Sequence, residues 1–310
     1  MIERIDFTSC EPGYKTYQGA NGAKRSVYYN GELYMLKFPH AATKNPLLHY
    51  SNDLIAEYLG SSIFNILGIE AQKTLLGIFS KNESDGSCKT YDIVACKDFA
   101  DARNGLMFQD FASLKNEVVS SSTGGYSTDI DGLEDAFDKQ KRVDSQRLRE
   151  FFWDMFIVDA YLANFDRHNG NWGFITDIRT GRWRIAPVYD CGSCLYPQAD
   201  EETKQEIMTS KAALDIRIYQ RPLSALNYKG KKVGYLEFIS SGVNTSCTAA
   251  LHRISRMIED RQSEIETLLE KTPLSSLDRK FYSFILSKRK EMILDRAEAK
   301  LLKNGFISIQ

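Results

Sequence analysis

The stretch that most constrains this chain is a polar segment at residues 164–174, N-F-D-R-H-N-G-N-W-G-F, which lies between two apolar segments. Before it, residues 148–162 carry apolar side chains at helical spacing, which predicts a helix. At its end, the run W-G-F has the character of the start of a buried strand. Because both ends are anchored in predicted regular structure, we expect the polar residues between them to be held rigidly.

Three polar side chains in and after this segment stand in an order that suits one kind of chemistry. Asp166 is followed five residues later by Asn171, and Asp190 follows a second strand-like run at residues 183–189. Phosphoryl transfer from Mg·ATP needs one group to orient and deprotonate a hydroxyl, and oxygen ligands for magnesium. The order predicts Asp166 as the base and Asn171 and Asp190 as the metal ligands. A surface loop of common turn-forming residues is the weaker interpretation.

Lys37 lies in an apolar strand-like run at residues 32–38, and Glu57 lies among apolar positions of a helix predicted over residues 51–67. Taken alone, Lys37 would be interpreted as an edge-strand or snorkelling lysine. In kinases, however, a strand lysine followed by a helix carboxylate holds the α- and β-phosphates. A buried carboxylate without a cation is costly, so we expect Glu57 to pair with Lys37.

A glycine-containing segment at residues 18–24, Q-G-A-N-G-A-K, precedes the first predicted strand. Small residues let backbone N–H groups approach phosphate oxygens. The candidate phosphate contacts are Gly19, Ala20, Asn21, Gly22 and Lys24. The segment matches neither G-x-x-x-x-G-K-[ST] nor G-x-G-x-x-G, and an ordinary loop is an equally good interpretation.

Cys191 and Cys194 follow Asp190 as C-G-S-C, which raises a redox or zinc alternative. A redox C-x-x-C opens a helix after a strand, whereas residues 195–198 contain a proline and do not continue a helix. Zinc would need two further ligands, and no second Cys/His pair has suitable spacing. We therefore expect a buried or incidental thiol pair.

The order of predicted elements indicates an α+β chain with a small β-rich lobe ahead of a larger, mainly helical one. Three strand-like runs and the helix at 51–67 fall in the first hundred residues; the strands are predicted at 26–30, 32–38 and 91–96. Asn30-Gly31 between the first two predicts a tight hairpin. A polar break at 120–128 precedes the helical part, whose later helices are predicted at 251–269 and 277–302.

Composition excludes several classes of protein. With 310 residues and a net charge of −1, the chain has no broad basic field for nucleic acid or an anionic membrane. Its first residues carry acids and no apolar core of a signal peptide, and no run of eighteen apolar residues occurs. Six cysteines are too sparse for a disulfide scaffold. We expect a cytoplasmic protein with no nucleic-acid or membrane partner, and export by a non-classical route is left open.

Residues 164–174, together with A-P-V-Y-D at 186–190, closely resemble the catalytic motif N-x-D-R-H-x-x-N of the HipA-like serine/threonine kinases. The resemblance spans about Gly19 to Pro197. It implies a bilobal protein-kinase-like fold with a β-rich N-lobe over residues 1–98 and a helical C-lobe over 99–310. It also implies ATP and Mg²⁺ as cofactors, a Ser or Thr hydroxyl of a protein as acceptor, and autophosphorylation.

The resemblance also implies roles for individual residues. Asp166, Lys37 and Glu57 would form the catalytic set, with Asn171 and Asp190 binding magnesium. The backbone of Cys96, Lys97 and Asp98 would form the hinge that contacts adenine, and His168 counts among the nucleotide contacts. In related kinases a Ser or Thr beside the glycine loop is autophosphorylated, and Thr16 and Ser26 are the nearest candidates here.

The sequence departs from the family pattern in two places. HipA toxins carry a further subdomain ahead of the glycine-containing loop that helps to engage an antitoxin, and this chain starts almost at the loop, so an antitoxin partner is doubtful. The loop itself has one residue more than the common G-x-Q-x-K form. Two other functions stay open: a nucleotide-binding pseudokinase that serves as an interaction module, and a small-molecule kinase.

Overall fold

The computed structural model describes residues 2–17, 24–39, 51–82, 86–120 and 124–306. The described chain is α+β, as expected, with a β-rich N-terminal part and a mainly helical C-terminal part. The boundary between residues 98 and 99 stays a prediction.

Strands of the N-terminal part form one mixed sheet in the order β1-β5-β6-β4-β3-β2. Its strands are β1 (Ile5–Asp6), β2 (Glu11–Pro12), β3 (Lys24–Tyr29), β4 (Glu32–Lys37), β5 (Thr74–Asn82) and β6 (Cys88–Lys97). The predicted hairpin joins β3 to β4, and its turn residues Asn30 and Gly31 have φ of 51° and 77°. Such positive φ values are those of the tight two-residue turn that Asn-Gly favours.

Helix α1 (Asp53–Ile66) packs against β5 and β6 on one face of this sheet. Val94 and Cys96 of β6 belong to the core on that face, whereas Ile93 and Ala95 belong to a separate cluster on the other face. This alternation follows from the two-residue period of a strand. Lys37 is the register partner of Val94, so it stands on the face that α1 covers.

The C-terminal part contains a three-stranded antiparallel sheet, a small hairpin and most of the helices. The sheet strands are β7 (Leu106–Asp110), β8 (Gly173–Asp177) and β9 (Arg182–Ile185), and the hairpin strands are β10 (Asn227–Tyr228) and β11 (Lys231–Lys232). The helices are α2 (Phe111–Val118), α3 (Ile130–Lys139), α4 (Ser145–Leu162), α5 (Glu201–Thr209), α6 (Lys211–Asp215), α7 (Tyr235–Ile239), α8 (Thr245–Asp260), α9 (Gln262–Lys271), α10 (Ser276–Arg289) and α11 (Arg296–Lys303).

Helix α4 is the helix predicted from residues 148–162, and it lies at the centre of the C-terminal part, in contact with α3, α8 and α10. The single segment predicted over 251–269 is divided instead into α8 and α9, which meet at Arg261. The division follows from packing, because α8 lies along α4 whereas α9 contacts α1 and α10. Between α10 and α11 the chain forms a π-helical segment, Lys290–Asp295.

Candidate active site

Residues 164–172 form a loop between the end of α4 and the start of β8, and the last two residues of the polar segment begin that strand. Ala163, with a left-handed φ of 57°, ends the helix. Asp159, in the last turn of α4, is 1% exposed and accepts hydrogen bonds from Asn164 Nδ2 at 2.7 Å and from Arg167 Nε at 3.0 Å. The apolar helix thus places one buried carboxylate that organises the loop after it.

Arg167 joins the loop to the segment that carries Asp190. Its guanidinium, which is also buried, donates to the backbone carbonyl of Asn171 at 2.8 Å and to that of Tyr189. Burial alone would lower the pKa of Arg167, but the Asp159 carboxylate outweighs it and raises that pKa well above its usual value. The arginine therefore stays charged and holds three segments of chain together.

Asp166 and Asn171 are fixed by bonds within the loop. The Asp166 N–H donates to Asn164 Oδ1 at 3.0 Å, and Asn171 Nδ2 donates to the Asp166 carbonyl at 2.8 Å. With its nitrogen engaged, the Asn171 amide leaves its oxygen as the group available to a ligand. His168 lies in the same turn, where its Nδ1 accepts from the Gly170 N–H at 3.0 Å.

Lys37 connects the N-terminal part of the chain to the segment after β9. Its ammonium lies 2.8 Å from Glu57 Oε2 and 2.9 Å from Asp190 Oδ1. The expected pair of Lys37 with Glu57 is present, and Glu57 is 1% exposed while the Asp190 side chain is 44% exposed. Burial would lower the pKa of Lys37, but the two carboxylates outweigh it and raise that pKa well above its usual value.

The pKa values of the two acids of the site are shifted in opposite directions. Lys37 lowers the pKa of Asp190 to about 2, mainly through the attraction between the opposite charges. Burial raises the pKa of Asp166, and the Asp190 carboxylate adds to that rise, so the two carboxyl groups interact. Asp190 is therefore the permanent anion of the site, whereas Asp166 is the stronger base.

The predicted hinge residues lie where β6 ends. Cys96 is buried within the sheet, paired with Met35 on one side. The N–H of Lys97 donates to the Lys73 carbonyl and that of Asp98 to the Leu33 carbonyl, both at 2.8 Å. These two donors are therefore already engaged.

The backbone polar groups that follow, the Asp98 carbonyl and those of Phe99, differ in their hydrogen bonding. In the described residues, the Asp98 carbonyl and the N–H and carbonyl of Phe99 make no backbone hydrogen bond. The Asp98 side chain receives the Tyr17 hydroxyl at 2.6 Å and the Lys15 ammonium at 2.6 Å. Lys15 and Tyr17, just before the glycine-containing segment, are thereby bonded to the last residue of the predicted hinge.

Gly19, Ala20, Asn21 and Gly22 lie outside the described residues. Lys24, the last candidate of that segment, begins β3 and is the register partner of Lys37. Its positive charge is one of the smaller causes that lower the pKa of Asp190, after Lys37. Lys24 is thus brought towards the same site.

Cys191 and Cys194 are fully buried free thiols, in agreement with the expectation of a buried pair. They pack beneath α1, where a Cβ added at Gly60 would lie 2.7 Å from the Cys191 Cβ. Gly60 therefore allows α1 to approach the chain that carries Asp190.

Sequence reasoning did not single out Asp159, Arg167 or Tyr189, although all three shape the loop. The Tyr189 hydroxyl donates to the Gly170 carbonyl at 2.6 Å. A signal for Asp159 was present, because an acid between Val158 and Ala160 on an apolar helix needs a cation as much as Glu57 does. The contacts of Arg167 with backbone carbonyls could not be predicted, because a backbone carbonyl is present at every residue whatever its side chain.

Each helix among the described residues is too short or too polar to span a lipid bilayer.

Comparisons with known proteins agree with this arrangement. Residues 18–266 match the model of the HipA-like C-terminal domain. Serine/threonine-protein kinase CtkA of Helicobacter pylori strain J99 is 39% identical over 302 residues, 96% of this chain and 89% of CtkA.

Solved structures extend the comparison to the fold. The crystal structure of the H. pylori proinflammatory kinase CtkA superposes with a TM-score of 0.86 at 39% identity, covering 97% of this chain and 99% of that one. HipA in the Shewanella oneidensis HipA–HipB–operator DNA complex gives a TM-score of 0.52 at 13% identity, covering 96% and 68%, a likeness of fold alone. The chain belongs to the HipA-like family.

Proposed function

We propose that this chain is a serine/threonine protein kinase that transfers the γ-phosphoryl group of ATP, with Mg²⁺, to a protein hydroxyl. The observation that carries the proposal is the contact of Lys37 with both Glu57 and Asp190, because it brings the strand lysine and helix carboxylate typical of a kinase nucleotide site to the acid that we propose binds the metal. The 39% identity to a protein named serine/threonine-protein kinase supports the same activity.

In this proposal Asn171 and Asp190 hold the magnesium. Both offer oxygen atoms, the ligands that Mg²⁺ prefers, and the Asn171 amide is oriented with its nitrogen bonded to the Asp166 carbonyl. When bound, the ion neutralises charge on the nucleotide phosphates. Lys37, which stays protonated between two carboxylates, supplies a second positive charge to the phosphates.

Asp166 orients the acceptor hydroxyl and takes its proton. Its raised pKa makes the carboxylate a better base than an exposed aspartate. For adenine, we propose the Asp98 carbonyl and the Phe99 backbone as the contacts, since the N–H groups of Lys97 and Asp98 already donate within the fold. His168 and Lys24 remain proposed nucleotide contacts, together with the segment at residues 19–22.

The test is the Asp166→Asn variant, assayed for transfer of radiolabelled phosphate from ATP to protein and, separately, for ATP binding. Loss of the base should reduce transfer by roughly 10²- to 10⁴-fold while ATP binding survives. Asp190→Ala should also lose magnesium-dependent nucleotide binding. The matched control is Asp131→Asn, the same change at an exposed position of α3, which should behave as wild type. Near-normal transfer by Asp166→Asn would show that the assignment of the base is wrong.

Two other activities are distinguished by the same reagents. A pseudokinase would bind nucleotide without transferring phosphate, so measurable transfer excludes it. A small-molecule kinase would label a panel of small hydroxyl compounds in preference to a generic protein acceptor.

We also propose autophosphorylation beside the glycine-containing segment, at Thr16. Thr16 is exposed, whereas Ser26 is 7% exposed within β3 and its carbonyl accepts from the Gly13 N–H. Phosphopeptide mapping after incubation with Mg·ATP should find phosphate on Thr16 and none on Ser26. Absence of phosphate from both residues would contradict this proposal.

A further inference from the structure

The small hairpin β10–β11 carries a concentrated positive charge. We call residues 227–232, N-Y-K-G-K-K, the basic hairpin; Lys229, Lys231 and Lys232 are all exposed. No carboxylate of the described residues forms an ion pair with any of the three. Three like charges in six residues repel one another, which costs stability, although the Lys229 ammonium also lies 5.1 Å from the centroid of the Tyr228 ring.

The turn of the basic hairpin places a lysine where its backbone is unfavourable. Lys229 and Gly230 have φ of 50° and 76°, nearly the same as Asn30 and Gly31 in the hairpin of β3 and β4. Asparagine tolerates the left-handed region, whereas a lysine there is uncommon and strained. Of the two turns, one thus carries asparagine, which tolerates this backbone conformation, and the other carries a charged lysine, for which the conformation is unfavourable.

The basic hairpin is attached to the loop that carries Asp166. Asn169 of that loop donates to the Ser127 carbonyl at 2.8 Å. The next residue, Thr128, accepts from the Asn227 N–H at 2.9 Å. Residues 127–128 therefore connect the two elements directly, so the hairpin has a fixed position beside the loop.

A second connection and an electrostatic effect agree with this position. The Tyr235 hydroxyl, just after the hairpin, donates to the Asn164 carbonyl. Burial raises the pKa of Asp166, and Lys232 is among the positive charges that oppose the rise. Lys232 is therefore within electrostatic reach of the proposed base.

We propose that the basic hairpin binds acidic side chains that flank the acceptor hydroxyl in the protein substrate. The inference rests on the proposed function, because it places the acceptor at Asp166. The chain as a whole carries a net charge of −1, so no overall positive charge would attract a long polyanion, whereas three lysines within six residues suit a short acidic peptide segment. Acidic residues next to the acceptor would neutralise lysines that no described carboxylate pairs with.

The experiment measures binding and transfer separately. Two fluorescein-labelled peptides are used, each with one serine, flanked by glutamates in the first and by lysines in the second. Their binding is followed by fluorescence anisotropy at low and high salt, and their phosphorylation by incorporation of radiolabelled phosphate. The test variant is Lys229→Asn/Lys231→Gln, which removes two charges and gives the turn a favourable Asn-Gly sequence. The matched control is Lys280→Asn/Lys300→Gln, at exposed positions of α10 and α11.

We expect wild type and control to bind the glutamate peptide more tightly than the lysine peptide, with a difference that shrinks at high salt. The hairpin variant should bind the glutamate peptide about tenfold more weakly, because it lacks two of the three lysines that would pair with the glutamates. Equal affinity of wild type for both peptides, or an equal loss in the control, would overturn the inference. Binding preference without any phosphate transfer would contradict the proposed function and leave the docking role standing.

Discussion

The most direct test of the site's construction is removal of one charge from the buried pair beneath it. Asp159 and Arg167 are both buried, and Asp159 Oδ2 lies 3.0 Å from Arg167 Nε. Asp159→Asn keeps the size of the side chain but leaves the guanidinium buried without its carboxylate. Loss of one partner of such a pair costs about 3–5 kcal/mol in the free energy of unfolding.

That free energy corresponds to a measurable change in melting temperature. For cooperative unfolding of 310 residues, an unfolding entropy of about 2.1 cal/mol/K per residue gives roughly 0.65 kcal/mol/K. The expected decrease in Tm is therefore roughly 5–8 °C, measured by scanning calorimetry. Phosphate transfer should fall as well, because the same arginine holds the carbonyls of Asn171 and Tyr189.

A double variant separates the pair from its surroundings. Asp159→Asn/Arg167→Gln removes both charges, so it should be less destabilised than the sum of the two single variants, by about 0.5–3 kcal/mol. Additive losses, or a single Asp159→Asn variant that melts within a degree of wild type, would refute the account of a buried charge pair.

Three other predictions concern the chain around Asp190. Lys37 holds the pKa of Asp190 at about 2, below its usual 3.8, so the stabilisation by its carboxylate is present above pH 3.8 and lost as pH falls towards 2. The Tm difference between wild type and Asp190→Asn should therefore shrink over that pH range. Gly60→Ala should destabilise the protein by about 1–3 kcal/mol in urea unfolding, although alanine favours helix by up to ~1 kcal/mol, because its Cβ would lie 2.7 Å from the Cys191 Cβ. In thiol titration with a chromogenic disulfide, the exposed Cys88 should react at once, whereas Cys191 should react only on unfolding.

The pair of Lys37 with Glu57 was predictable from sequence because the argument is local. A carboxylate among apolar helix positions needs a cation, and the preceding strand offers one. Lys37 and Asp190, by contrast, are 153 residues apart in the sequence, so their contact depends on how the whole chain folds. The sequence pattern singled out the residue types of the candidate site, whereas the distances between these residues are set by the fold.

Strand β5 shows why part of the sheet was not predicted. Its sequence contains Gly77, which weakens a strand pattern. In the structure a Cβ at Gly77 would lie 2.3 Å from the Ile5 carbonyl, so the glycine is required by the approach of β1. A contact between residues so far apart in sequence is invisible to a local pattern. The break between α8 and α9 has the same origin, since it depends on which helices each one packs against.

The number of N–H donors on the Lys37 ammonium limits how many acceptors it can bind at once. An ammonium group has three N–H donors, and in the described residues Glu57 and Asp190 accept two of them. Within the described residues one hydrogen is thus left over, so the proposed contact with a phosphate oxygen would add to both ion pairs, with neither carboxylate released. The three donors of a tetrahedral nitrogen point in different directions, whereas a guanidinium is a planar fork. Arginine at position 37 would keep the positive charge, but its planar group could not bind Glu57, Asp190 and a third acceptor in the same arrangement.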